Sequence, residues 1–349
     1  MRFFLLGRNP ELSRMELLSC LSPEREIYFK DNMLILDCKD INIQELGGTL
    51  MSGKVLFVGD EQTFSKWLDE HEVISDDKFS YFVIGEKQEE IKNKFKREKR
   101  KARQKKGRRE LKLQNGKDVS LPNVDYYLFC VKREQVYFGL IEQIYNHQEV
   151  EKRDMQKPVR RQELAISPRL AKILINLSNP KQRLLDPFCG IGSILIEGLV
   201  KGYNVVGVDI DKQAINNAKK NLNWLASRYK TGRYELINAD AKHIKLEEVD
   251  AIATEPHLGD LYKKKPSKKE SSKIMENFEK MIIPILNNLK SQKKRNARIA
   301  MTVPYIGNKT IDVKKICQYT GLKLFGKQRW PIREARTGQY VGRGVVVFV

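Results

Sequence analysis

The chain has 349 residues and carries 65 Lys+Arg against 44 Asp+Glu, a formal net charge of +21 at pH 7. That length fits two or three domains of roughly 100–200 residues, and so large an excess of cations implies a polyanionic partner, nucleic acid first. No apolar run reaches the 18 or more residues of a spanning helix, the start MRFFLLGRNPELS lacks a signal-peptide shape, and Cys20, Cys38, Cys130, Cys189 and Cys317 are scattered with no C-x-x-C pair. These features exclude a helical membrane protein, a zinc ribbon and a disulfide scaffold, and predict a cytoplasmic protein with no metal site and no membrane partner.

The first sixty residues read as strand (Arg2–Leu6), helix, strand, strand, short helix, strand. Asn9 caps the first helix, with Pro10 in its first turn and Glu11 complementing the dipole. Ile27–Phe29 and Met33–Leu36 flank a hairpin turn, and Leu46-Gly47-Gly48 stops a second helix before Val55-Leu56-Phe57. The order β-α-β-β-α-β predicts a ferredoxin-like domain over residues 1–60. A second unit, 61–148, has strand-like runs at Phe79–Ile84, Tyr126–Val131 and Tyr137–Ile141.

Between the first two of these runs lies KNKFKREKRKARQKKGRR, Lys92 to Arg109, with twelve basic residues and one acid. Such a block is either a solvated or disordered charged run, or a basic helix or arm laid along phosphates. Its place between two strands favours the second, with Lys96, Arg97, Lys99, Arg100, Lys101 and Arg103 as candidate contacts. Residues 149–165 are polar and basic and read as a linker.

From residue 166 to 349 the pattern becomes regular. Ser167-Pro168 starts a helix over Arg169–Leu177. Then come strand Arg183–Leu185, helix from Ser193, strand Val205–Val208, helix from Asp211, strands Glu235–Asn238 and Ala251–Thr254, helix near Ile274–Leu289 and strand Arg298–Val303. Alternation of this kind predicts an α/β fold with a parallel sheet covered on both faces. Leu322–Arg329 and Gly344–Val349 are expected to add an antiparallel edge pair.

The strongest chemical signal is LLDPFCGIGSILIEG, Leu184 to Gly198. An apolar strand ends on Asp186, a turn with Gly190 and Gly192 lets backbone approach a ligand, and a helix opens at Ser193. It is neither a phosphate loop nor the dinucleotide fingerprint, since no Lys follows Gly192 and the third glycine is absent. Asp209 ends the next strand, where a carboxylate could accept both hydroxyls of a ribose, and Asp240 closes the following one. A single strand-ending Asp is more often a cap. Three at successive strand ends beside a glycine turn describe a cofactor crevice.

Asp186-Pro187-Phe188-Cys189-Gly190-Ile191-Gly192-Ser193 resembles the cofactor motif of S-adenosyl-L-methionine-dependent amino methyltransferases of RNA, with Asp209 and Asp240 at the second and third acidic positions. LGGTLMSGKVLF, RDMQKPVRRQELAISPRLAKILINL and REARTGQYVGRGVVVFV look like the archaeal and eukaryotic tRNA guanine-N2 methyltransferases that modify position 10. The resemblance implies a Rossmann-like methyltransferase domain (166–349) preceded by a ferredoxin-like and a THUMP-like RNA-binding domain (61–148). It further implies that Asp186 and the Gly190–Gly192 turn hold the methionine moiety of the cofactor, Asp209 the ribose and Asp240 the adenine, with Phe188 also cofactor-binding. tRNA would be the partner, and some eukaryotic relatives add an activating subunit.

ATEPHLG, Ala253 to Gly259, falls where this family places Asp-Pro-Pro-Tyr or Phe, a motif that accepts the amine hydrogen and stacks on the target base. Here Glu255 replaces Asp, Pro256 is kept, His257 replaces proline and Leu258 replaces the aromatic. By resemblance Glu255, Pro256 and His257 are catalytic, and Lys263, Lys264 and Lys265 in the following loop steer phosphates. Taken alone, the segment reads as a turn after a buried strand. Two other functions stay open: a tRNA-binding protein that has lost the chemistry, favoured by His257 and Leu258, and an amino methyltransferase of other RNA or of DNA.

Overall fold

A computed structural model describes residues 1–106, 121–160, 166–259, 262, 264–334 and 340–349. Two compact units emerge. The first comprises Met1–Arg14, Leu21–Gln44 and Gly48–Tyr145, and the second Met15–Cys20, Glu45–Gly47 and Asn146–Val349.

The chain begins with β1 (Arg2–Leu6), α1 (Pro10–Leu21), β2 (Arg25–Lys30), β3 (Met33–Asp37) and β4 (Thr49–Gly59). It continues with α2 (Glu61–Glu70), β5 (Lys78–Gly85), α3 (Gln88–Arg97), β6 (Lys101–Gln104), β7 (Tyr126–Lys132) and β8 (Val136–Ile144). These strands form one sheet in the order β2-β3-β1-β4-β8-β7-β5-β6. β2, β3, β1 and β4 have the antiparallel pairings of a β-α-β-β-α-β unit. Its second helix is only a 3-10 turn, Ile43–Glu45, ahead of the Leu46-Gly47-Gly48 stop.

The boundary expected between residues 60 and 61 lies within this sheet, because β4 pairs with β8. The alternation along β7 shows why. Leu128 and Cys130 enter a core with Phe64, Leu68, Ile91 and Phe95, whereas Phe129 and Val131 enter a second cluster with Phe3 and Leu5. Phe129 stacks on Phe3 with ring centroids 4.0 Å apart.

The basic segment is neither one helix nor an arm over its described part. α3 ends at Arg97, the chain turns through Lys99 (φ 56°), and β6 forms the sheet edge; residues 107–109 lie outside the described residues. Lys94 is buried and donates to the Leu68 and His71 carbonyls and to Glu98. Arg97 pairs with Asp69, and Arg100 with Glu72 and Asp77. Lys96, Lys99, Lys101 and Arg103 are exposed. Charges on an edge strand also oppose unwanted strand addition.

In the second unit α4 (His147–Gln156) occupies the first part of the expected linker, and residues 161–165 lie outside the described residues. The reason is Arg153: its guanidinium grips Glu197 through both carboxylate oxygens at 2.9 and 3.0 Å, with side chains 5% and 2% exposed. After α5 (Pro168–Ser178), capped by Ser167, come β9 (Arg183–Asp186), α6 (Ser193–Val200), β10 (Asn204–Asp209), α7 (Lys212–Ala226), β11 (Tyr234–Asn238) and β12 (Val249–Thr254). Then follow α8 (Lys268–Gln292), β13 (Lys293–Ile306), β14 (Lys309–Thr310), α9 (Val313–Thr320), β15 (Ile332–Glu334) and β16 (Gly342–Phe348).

The sheet order is β11-β10-β9-β12-β13-β16-β15, with β16 antiparallel to both neighbours and the β11-to-β13 pairs parallel. Asp250 on β12 anchors the entry to β9 by accepting from the Lys181, Gln182 and Arg183 amides at 2.8–2.9 Å. One expectation holds only in part. Lys323 and Phe325 bond antiparallel to Val349 and Val347 at 2.8–3.2 Å around the Leu324–Phe348 bridge, but Gly326 at φ 71° then turns the chain out of extended geometry, and β13 and β15 are the strands that pair with β16.

Arg153→Ala is expected to cost about 3–5 kcal/mol, because it strands a buried carboxylate, whereas Arg153→Met with Glu197→Gln costs much less. Urea unfolding of the two variants checks this.

Candidate active site

β9 is flanked by β10 on one side and β12 on the other, so the chain connections reverse direction there and the carboxyl ends of these strands open a crevice. Asp186 closes β9 and is 1% exposed. It accepts from the Thr254 hydroxyl at 2.6 Å and the Phe188 amide at 3.1 Å. Burial pushes its carboxyl up to about 7 against these two hydrogen bonds, and the charges of Asp209 and Glu255 act in the same direction as burial.

The turn that follows is built to keep its outer side clear. Gly190 and Gly192 both sit at positive φ, 51° and 86°, and a Cβ on Gly190 would meet nothing within 4 Å. Asn221 fixes the inner side by donating to the Ile191 carbonyl at 2.9 Å. Ser193, the first residue of α6, has a buried hydroxyl with no hydrogen-bond partner among the described residues. Phe188 is half-buried and Cys189 buried, with burial raising the Cys189 thiol far from the thiolate range.

The second acid is tied to this turn. Asp209 accepts from the Gly190 amide at 2.8 Å through one oxygen and from the Asp211 amide at 2.9 Å through the other. A carboxylate has about four lone-pair positions, so two stay open. Asp240 accepts the Lys242 amide at 2.9 Å, which makes it a turn cap as well as a crevice acid. Ile210, which no sequence motif singles out, is 72% exposed directly after Asp209, and Asn238 holds its carbonyl at 2.9 Å. Its signal was an apolar residue immediately after a strand-ending acid.

At the end of β12, Glu255 is half-buried, Pro256 buried, His257 exposed and Leu258 half-buried. Glu255 is not left facing the lysine loop. Arg343 of β16 donates to both its oxygens, Nε to Oε2 at 2.8 Å and Nη2 to Oε1 at 2.7 Å. Burial disfavours the Arg343 charge, but the Glu255 bond outweighs it and leaves the guanidinium above its ordinary value. Arg343 was missed in the sequence because 88 residues separate it from its partner. Lys264 and Lys265 are exposed, and Lys263 lies outside the described residues. The structure thus gathers Asp186, Gly190, Gly192 and Asp209 into one hydrogen-bonded corner and gives Glu255 a partner of its own.

The donor set suits a ligand with a cationic amine, a diol and an apolar ring: a nearly buried acid, an anchored acid with open lone pairs, and an exposed isoleucine beside it. A model of the RMKL-like methyltransferase domain matches residues 157–297, and a DNA methylase model matches 30–220 and ends within α7. The tRNA (guanine(10)-N2)-dimethyltransferase of Methanothermobacter thermautotrophicus is 36% identical over 173 residues, 49% of this chain and 44% of that protein. The enzyme of the same name from Methanocaldococcus jannaschii is 31% identical over 187 residues, 49% of this chain and 50% of that protein. The matched regions therefore span about half or less of these relatives. The crystal structure of TrmN from Thermus thermophilus superposes with a TM-score of 0.52 at 16% identity, covering 100% of this chain and 99% of that one, which shows the shared fold. The DNA methylase model spans more than half of the chain, which therefore belongs to that methylase family, and over about half of its length the chain is similar to tRNA (guanine(10)-N2)-dimethyltransferases.

Proposed function

We propose that the chain methylates the exocyclic N2 amine of a guanosine in tRNA, at position 10 as the names of its relatives suggest, and works in the cytoplasm. The observation that carries this reading is the acid-and-glycine corner beside β12, from whose end Glu255-Pro256 emerges. When bound, S-adenosylmethionine supplies an electrophilic methyl group on a sulfonium. Asp186 attracts its ammonium, the Gly190–Gly192 turn and Ser193 receive the rest of the methionine moiety, Asp209 takes the ribose hydroxyls, and Ile210 and Asp240 bound the adenine. Glu255 and the Pro256 carbonyl accept hydrogens of the target amine, which turns its lone pair out of the ring, and exposed His257 offers a flat surface to the base.

In the first unit, Lys96, Lys99, Lys101 and Arg103 are the cations for tRNA phosphates, and residues 61–148 are assigned as the THUMP-like part. Arg97 and Arg100 have protein partners. No helix among the described residues is long and apolar enough to cross a membrane. The DNA methylase match favours a second reading, in which the base belongs to DNA; competition of methyl transfer by duplex DNA against tRNA separates the two.

Labelled methyl transfer to a tRNA transcript should yield N2-methylguanosine by nucleoside mass spectrometry. Glu255→Gln should lower the transfer rate about 10²- to 10³-fold while tRNA affinity is retained. Glu255→Gln transferring at the wild-type rate would remove this residue from the chemistry.

Cofactor affinity should depend on pH through Asp186. Protonated below about 7, its carboxyl loses its attraction for an ammonium, so calorimetric affinity should fall up to about tenfold per pH unit below that value, and Asp186→Asn should be weaker and flat. The stability contribution has the opposite sign. With its folded value raised above the unfolded value of about 3.9, Asp186 stabilises the cofactor-free chain at low pH and loses that contribution as pH rises from about 4 to 7.

Replacing Lys101 and Arg103 together by Gln should weaken tRNA binding and reduce the slope of log affinity against log salt by about 1–2. Filter binding between low and moderate salt measures this, and an unchanged slope would remove β6 from the RNA interface.

A further inference from the structure

Glu255 and Arg343 belong to strands that are not neighbours: β13 lies between β12 and β16. Arg343 is nevertheless held in place on both sides, since β16 pairs it with Pro304 of β13 and Glu334 of β15. Its side chain is 6% exposed and that of Glu255 14%. The two contacts at 2.7 and 2.8 Å form a fork that fixes the plane of the carboxylate as well as its position.

This geometry answers a problem set by the sequence. Glu255 carries one more methylene than the Asp of the related motif, hence one more rotatable bond to be held still before it can accept from an amine. A displaced catalytic group loses rate steeply, about 10²-fold for 1 Å. Two of the carboxylate's roughly four lone-pair positions are taken by the guanidinium, and two remain for a substrate.

We propose that Arg343 is the positioning residue for methyl transfer: its planar fork locks Glu255 so that the remaining lone pairs form a fixed acceptor for the target amine. This role rests on the reading of Glu255 as the amine acceptor.

The test uses the full chain, an unmodified tRNA transcript and S-adenosylmethionine, with single-turnover transfer rate, cofactor affinity and thermal midpoint read for each protein. Arg343→Lys keeps a cation but loses the fork. It should bind cofactor within about twofold of wild type and transfer about 10²-fold more slowly. Should that variant prove unstable, the swapped pair Glu255→Arg with Arg343→Glu keeps the ion pair, and it should hold the thermal midpoint while losing more than about 10²-fold in transfer. Arg343→Lys within threefold of the wild-type rate, or a swapped pair that still transfers, would overturn the positioning role and leave a purely structural ion pair. Cofactor binding without any transfer by the wild-type chain would instead overturn the reaction assigned above, and this role with it.

Discussion

The crevice is organised around one buried hydrogen bond, from the Thr254 hydroxyl to the Asp186 carboxylate at 2.6 Å. It joins the carboxyl ends of β9 and β12, neighbouring strands at the point where the sheet's connections reverse. Burying a carboxylate is costly unless its charge is met. Here two donors meet it only in part, so burial raises the carboxyl to about 7, and a bound cation would complete the compensation of its ionised form. The next link is the Gly190 amide on Asp209, which binds the glycine turn to the second acid and makes the crevice a single piece.

Charge is distributed by a logic that net composition hides. A surplus of 21 positive charges invites a polyanion, yet several of the cations have structural work. Lys94 satisfies carbonyls inside the first unit, Arg153 neutralises Glu197 inside the second, and Arg100 is shared between Glu72 and Asp77. Among the cations left facing solvent, Lys101 and Arg103 stand on a sheet edge. Like charges gathered there gain little from the protein itself.

The Glu255-Pro256-His257-Leu258 segment departs from its relatives' motif at three of four positions, which would ordinarily suggest lost chemistry. The structure shows a carboxylate held in a two-point grip at a strand end. Geometry of this kind costs desolvation of two charges and is maintained only by close fit.

Local chemistry made the second half of the chain legible in advance. Ser167-Pro168, Asp211 and the LLDPFCGIGS turn act on residues within three or four positions, so the start of α5 and of α7 and the strand-turn-helix at Asp186 could be read directly. The three acids at strand ends were legible for the same reason, since a strand's end is marked by its own neighbours. Contacts across sequence distance were not. That β4 continues into β8, that Arg153 turns part of a polar linker into a docked helix, and that Arg343 closes on Glu255 depend on strand order and pairing register. Those are fixed by burial of both sheet faces and by the desolvation cost of each charge, quantities that exist only once the chain is folded.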